Sequence, residues 1–198
     1  DYRYIGDFDN ALKFNISALT LKEEKLPSGE TIGSSLSIAN TLNSIGVVYD
    51  DMGNLTKAME YHNKALTIRT ELNNKRGIAV SLHNIGVVYE EMGEFDKALD
   101  SYTESLKIKN ELGNRHEIAT TLNNIGIIYL DKKQYDKALD YHFQALEIFK
   151  EMEDLYSFAN TSNSIADIYL DLNQPDKAFP YIQDGLNTAN QIDAKRLI

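Results

Sequence analysis

Apolar residues recur along this chain at the spacing of one helix face. In residues 76–91 they fall at intervals of three and four, which is the period of an amphipathic helix. The positions are Ile78, Ala79, Leu82, Ile85 and Tyr89. A second helix is predicted to begin near Asp96, because an acidic residue is favoured beside a helix N-terminus. Between the two, Met92 and Gly93 predict a turn, since glycine readily takes the left-handed conformation that ends a helix.

This pair of helices, A and B, recurs every 40 residues. The segment LNSIGVVY at 42–49 returns as LHNIGVVY at 82–89 and as LNNIGIIY at 122–129, and more loosely as SNSIADIY at 162–169. One pair cannot bury its own apolar faces, so neighbouring pairs are expected to stack into an array. The pattern predicts an all-α fold.

The repeat also predicts how the chain is divided. We expect a single array over 1–198, with a partial repeat at 1–33 and the start of a further repeat at 194–198. The four full repeats are expected at about 34–73, 74–113, 114–153 and 154–193. Tyr2 aligns with the end of a helix A, and the region around Pro27 is predicted to be a longer exposed loop. We therefore expect the array to continue in a longer parent protein.

The repeated columns resemble the tetratricopeptide repeat. Leu42-x2-Ile45-Gly46-x2-Tyr49, followed by Ala58-x3-His62, fills the places of that family's pattern of an aromatic residue, Leu-Gly, Tyr and then Ala-x3-Phe. Leucine replaces the leading aromatic residue. The position where the family has proline is occupied by Thr70, Asn110, Lys150 and Asn190.

The 40-residue period is similar to that of tetratricopeptide regions in bacterial signalling proteins, kinesin light chains and cell-polarity scaffolds. The resemblance implies a right-handed superhelix of antiparallel helix pairs, with a concave groove made mostly by the A helices. It also implies that this groove binds a peptide or a partner protein.

The A-helix face turned away from helix B gives the candidate binding residues. They are Asn40, Asn43, Val47, His83, Asn84, Val87, Glu90, Asn123, Asn124, Ile127, Asn160, Asn163 and Asp167. Four A-helix segments contain no Lys or Arg, namely 38–51, 78–91, 118–131 and 158–171. The wall is therefore predicted to be rich in amides, with an apolar strip and a carboxylate edge. The family's grip on a terminal carboxylate through helix-A cations is not implied.

Two interpretations of the asparagines stay open. An amide offers both a donor and an acceptor to a peptide unit, so a ladder of asparagines suits an extended, neutral-to-basic ligand. Alternatively, the amides bond neighbouring A helices and the acids only solvate the groove. For Asn84 and Asn124 the two interpretations are balanced, whereas Asp50 and Asp51 near a turn favour the second.

Composition and motif content indicate which partners and activities to expect. Lys and Arg number 20 against 30 Asp and Glu, a net charge of −10, which disfavours a nucleic acid as partner. There is no cysteine, no long apolar run for direct membrane insertion and no catalytic, cofactor or metal motif. His62 and His142 share a helix-B column with Tyr102, which favours packing. We predict no enzymatic activity and no cofactor.

The sequence therefore predicts a protein-binding segment, most similar to the sensing or docking arrays of larger bacterial signalling proteins. The alternatives are a fragment of a peptide-regulated tetratricopeptide phosphatase and a self-associating structural scaffold. A cytoplasmic location is expected, or a periplasmic one if the parent is a membrane sensor.

Overall fold

The computed structural model describes residues 7–24 and 32–196, and the regular structure of these residues is entirely α-helical. The helices are α1 Phe8–Glu24, α2 Ile32–Asp51, α3 Leu55–Glu71, α4 Lys75–Glu91, α5 Phe95–Leu112, α6 Arg115–Asp131, α7 Tyr135–Glu151, α8 Leu155–Asp171 and α9 Pro175–Arg196. The predicted all-α class of helix pairs is confirmed. The chain divides into two compact units, one ending at Ile108 and the other beginning at Lys109.

Each turn from helix A to helix B closes in the same way. In the turn after α4, Gly93 has φ of +74°, its N–H donates to the Glu90 carbonyl at 2.9 Å, and the N–H of Glu94 donates to the Tyr89 carbonyl at 2.9 Å. These two bonds satisfy carbonyls that the helix end leaves unpaired. After α6 the same role falls to Lys133, at φ +54°, a conformation that costs a non-glycine residue energy.

Within each unit, helix A and helix B approach closely where glycine faces a buried ring. A Cβ added to Gly46 would lie 2.7 Å from the His62 ring, and one added to Gly86 would lie 2.7 Å from the Tyr102 ring. All three rings of this column, including His142, are completely buried. The packing role predicted for His62 and His142 is therefore confirmed. The glycines are required because any side chain would occupy the space of the ring.

A second aromatic contact joins the two helices of a pair near their turn. Tyr49 stacks on Tyr61 with centroids 5.5 Å apart, and Lys57 lies 4.8 Å above the Tyr49 ring. The same tyrosine pairs recur as Tyr129–Tyr141 at 5.5 Å and Tyr169–Tyr181 at 5.9 Å. Such stacks add to the burial of apolar area and keep the two helices in register.

The C-terminal helix occupies part of the segment expected to start a further repeat, residues 194–198. Helix α9 continues without a break to Arg196, past Pro180, so residues 194–196 form its last turn. No turn that would begin a further repeat is found among the described residues, and residues 197–198 lie outside them. Tyr2 and the predicted loop near Pro27 also lie outside the described residues.

The close approach of glycine to the ring gives a testable prediction for Gly126. A Cβ there would lie 2.8 Å from the His142 ring, so Gly126→Ala must displace the ring or separate α6 from α7. We expect a loss of about 1–3 kcal/mol in the free energy of unfolding, typical of overpacking. Urea denaturation followed by circular dichroism measures it.

The matched control comes from the last pair of helices, where Ala166 and Ile182 stand in the same two columns. Combining Gly126→Ala with His142→Ile copies that pair and should recover much of the loss. An unchanged denaturation midpoint for Gly126→Ala alone would show that the close approach is no constraint.

Candidate partner-binding surface

The predicted binding residues lie outside the fully buried core. We call them the A face, carried in the first unit by α2 and α4 and in the second by α6 and α8. Four are exposed, namely Asn40, Asn160, Asn163 and Asp167. The others are half-buried, namely Asn43, Val47, His83, Asn84, Val87, Glu90, Asn123, Asn124 and Ile127. Half-buried apolar and amide side chains can contact a partner while still bracing their own helix.

In the first unit, Asn43 is the centre of a polar network. Its Oδ1 accepts from Asn84 Nδ2 at 3.0 Å, from His62 Nδ1 at 3.3 Å and from Arg69 Nη1 at 3.5 Å. The Asn84 bond joins α4 to α2, so this amide does bond the neighbouring A helix. The amides of this face are therefore held in place before any ligand arrives.

Arg69 takes a part in this network that the spacing of residues in the sequence does not predict. It belongs to α3, a B helix, yet its guanidinium lies 2.9 Å from Asn40 Oδ1 and 2.7 Å from Ser81 Oγ. The side chain is only 4% exposed, and burial lowers the pKa of its guanidinium. The segments 38–51 and 78–91 of these A helices contain no Lys or Arg, and a buried cation lies behind them. Sequence spacing alone does not reveal how far the Arg69 side chain reaches or that it is buried. Its contacts with Asn40 and Asn43 were therefore not predicted.

In the second unit the corresponding network is built differently. Asn123 Oδ1 accepts from His142 Nδ1 at 3.0 Å and from Thr161 Oγ1 at 3.1 Å, which ties α6 to α7 and α8. Lys109, in the column of Arg69, donates to Thr121 Oγ1 at 2.8 Å. Burial lowers the pKa of Lys109 to about 8, with Glu117 acting in the opposite direction. The two units therefore use equivalent positions of the repeat for their polar networks, but with different side chains.

Carboxylates stand at the C-terminal ends of α2 and α4, where the carboxylate edge was predicted. Burial, followed by the charges of Glu91 and Asp51, raises the pKa of Asp50 to about 6. Glu90 is bound within the unit, because its Oε2 accepts from the Tyr102 hydroxyl at 2.7 Å. Tyr102 in turn packs beside the His83 ring, with centroids 5.3 Å apart. The acids of this edge thus differ, one bound to a tyrosine and one carrying a raised pKa.

In the part of the chain that the structure describes, no three His, Cys, Asp or Glu side chains come together as a metal site. The described helices include none with the length and apolar character needed to cross a bilayer.

The family follows from comparison with known proteins. The tetratricopeptide repeat profile matches residues 37–111, 102–151 and 117–191. The chain therefore belongs to the tetratricopeptide repeat family, and it is a protein-interaction module. No curated protein matches it by sequence.

Solved structures extend the comparison. BtubC (BKLC) from P. vanneervenii has a TM-score of 0.83 at 20% identity, over 97% of this chain and 77% of its own. The apo form of RapI has a TM-score of 0.80 at 27% identity, over 93% of this chain and 66% of its own. The Rap conjugation gene regulator of the plasmid pLS20, solved in complex with the Phr* peptide, has a TM-score of 0.78 at 18% identity. Its alignment covers 97% of this chain and 51% of the regulator, so the chain spans about half its length.

The buried histidines give this surface a predictable response to acid. Burial lowers the pKa of His62 and His142 to about 4, and the Arg69 charge adds to the effect at His62. Each Nε2 is buried and has no hydrogen-bond partner among the described residues, so protonation there would create an unsatisfied donor. Because the folded-state pKa lies below the ordinary 6.5, the unfolded chain binds more protons between these values.

We therefore expect stability contributed by His142 to be present above pH 6.5 and to be lost as the pH falls through about 4. The shift corresponds to roughly 3 kcal/mol. Asp50 acts in the opposite direction, since its raised pKa favours folding at low pH, so wild type must be compared with His142→Phe. The variant should lose less stability than wild type between pH 7 and pH 4 in urea denaturation. Parallel pH profiles would contradict the prediction.

Proposed function

We propose that the A face binds an extended peptide or an extended segment of a partner protein. The observation that carries the proposal is that, within each unit, the A helices present asparagines at equivalent positions beside half-buried apolar side chains, Val47 and Val87 in the first unit and Ile127 in the second. A repeating surface suits a ligand that itself repeats, which an extended main chain does with its amides. The apolar strip would contact the ligand's side chains.

The charges of the face favour a neutral-to-basic ligand. Asp50, Asp51, Glu90 and Glu91 stand at the C-terminal ends of α2 and α4, and Asp167 is exposed on α8. Their negative potential would attract a ligand's Lys or Arg side chains and speed the encounter. The chain's net charge of −10 acts in the same direction.

We further propose that the chain is the sensing or docking segment of a larger bacterial signalling protein, and that it works in the cytoplasm or, in a membrane sensor, in the periplasm. The 27% identity with RapI and the fold shared with the Rap conjugation gene regulator of the plasmid pLS20 support a regulatory setting. A second candidate is a fragment of a peptide-regulated tetratricopeptide phosphatase, since aspartyl phosphate phosphatase F from Bacillus subtilis has a similar fold, with a TM-score of 0.85 at 18% identity. This chain covers only 66% of RapI, so the remaining third would have to come from a longer parent.

The test is a fluorescence titration with a pool of Lys- and Arg-rich extended peptides. We expect saturable binding to wild type. Asn84→Ala and Asn124→Ala should each weaken binding about fivefold, because one hydrogen bond contributes about 1 kcal/mol. The matched control is Asn63→Ala, an exposed asparagine on α3 outside the A face, which should bind as wild type does.

Unchanged binding by the Asn84→Ala, Asn124→Ala double variant would refute the ladder of asparagines. Absence of binding to any peptide of the pool would refute the extended basic ligand. Concentration-dependent light scattering without peptide tests the remaining alternative, self-association through the same face.

A further inference from the structure

The starting observation is a buried cation whose hydrogen-bond partners are all neutral. Arg69 is 4% exposed and donates to Ser81 Oγ, to the Gly77 carbonyl at 3.1 Å, to Asn40 Oδ1 and to Asn43 Oδ1. Its Nε is buried without a partner among the described residues. A buried charge is costly unless it is well hydrogen-bonded, so this arrangement strongly constrains the groups around it.

The constraint fixes the orientation of two amides of the A face. A guanidinium has five N–H donors and no acceptor, so only the oxygen end of an asparagine can face it. Asn40 and Asn43 must therefore turn Oδ1 inward towards Arg69. The Asn84 Nδ2 and His62 Nδ1 groups, which also approach Asn43 Oδ1, reinforce the same orientation.

This orientation determines what the two side chains offer a ligand. With both oxygens engaged, the Nδ2 groups of Asn40 and Asn43 are the ends that remain, and neither makes a hydrogen bond to any residue that the structure describes. Asn40 is exposed and Asn43 is half-buried. The positive charge behind the amides makes their N–H groups better donors, because charge and hydrogen bonds in a chain polarise one another.

The residues that occupy the position of Arg69 in the next two repeats, Lys109 and Phe149, cannot orient two amides in this way. Lys109 has a single ammonium group, which donates to Thr121 Oγ1, and Phe149 has no polar atom in its side chain. A guanidinium can hold two amides at once through its rigid fork, whereas an ammonium is a single point. Arg69 thus makes Asn40 and Asn43 distinct from the other asparagines of the A face.

We propose that Arg69 is a positioning residue that sets Asn40 and Asn43 as hydrogen-bond donors for oxygen atoms of the ligand. Main-chain carbonyls of an extended peptide and ligand carboxylates share this chemistry, and both would bind at these two amides. The inference rests on the proposed function of the A face and refines it. On the A face, the amides of Asn40 and Asn43, held by Arg69, would bind the ligand's carbonyl oxygens. The carboxylate edge would bind the ligand's cationic side chains.

The test uses side-chain amide signals of the ¹⁵N-labelled chain in solution NMR. The probes are N,N-dimethylacetamide, which has a carbonyl and no N–H, acetate for the carboxylate source, and methylammonium as a donor-only control. We expect the Nδ2 protons of Asn40 and Asn43 to move downfield with dimethylacetamide or acetate, and not with methylammonium. Asn110, exposed on α5 outside the A face, is the internal reference.

Two variants separate positioning from general stability. Arg69→Met removes the charge and the fork, and Arg69→Lys keeps the charge and copies the residue at position 109. In both, the response of Asn40 and Asn43 should fall to that of Asn110, and methylammonium should begin to shift them as the amides turn. If circular dichroism shows that Arg69→Met does not fold, the proposal is judged on Arg69→Lys and on whether wild type responds to the acceptor probes but not to methylammonium.

The proposal is overturned if wild-type Asn40 and Asn43 respond no more than Asn110, if methylammonium shifts them, or if a folded Arg69 variant responds as wild type does. A response to dimethylacetamide in a chain that binds no peptide would reject the proposed function and retain this inference. Peptide binding without that response would reject this inference alone. A response to acetate only would assign the amides to carboxylates.

Discussion

The contact between a glycine of helix A and a buried ring of helix B sets the distance on which the remaining packing depends. With His62 against Gly46 and Tyr102 against Gly86, the two helices of a pair approach more closely than any side chain on helix A would permit. The ring fills the space that the missing side chain leaves. Close-packed interiors tolerate little change in volume, so this contact fixes the position of the polar atoms beside it.

The histidine version of this contact connects packing to the surface. The His62 ring fills the space beside Gly46, and its Nδ1 bonds to Asn43 Oδ1 on the same A helix. The His142 Nδ1 makes the corresponding bond to Asn123 Oδ1. Because Asn43 Oδ1 must accept from Arg69, the hydrogen on His62 is assigned to Nδ1 and Nε2 is left as a buried lone pair. Burial keeps both rings neutral, and a lone pair at each buried Nε2 costs less than an unsatisfied N–H would.

The A face is therefore the outer layer of an internal hydrogen-bond network. Asn43 is bound from three directions, and Asn84 contributes one of those bonds. A surface held in this way loses little side-chain entropy when a ligand binds, which favours affinity. The two interpretations of the asparagines, as braces between helices and as ligand contacts, are consequently compatible, since an amide can use its oxygen inward and its N–H₂ outward.

Much of the fold followed from the sequence because local chemistry repeats every 40 residues. The helix pairs and their turns were predicted from Gly93, from Ala58 in the helix-B column and from the tyrosines that end the A helices. The described helices confirm those pairs. The local signals do not show on their own that α9 continues through residues 191–196.

For the candidate surface, the sequence by itself determined which residues share the outer side of each A helix, since a helical period places them there. Only the tertiary structure decided which end of each asparagine is available. Arg69 lies 26 residues from Asn43 and on a different helix, so no spacing rule relates them. That relation depends on how closely α2, α3 and α4 pack, and on the requirement that a buried guanidinium find acceptors within the reach of its side chain.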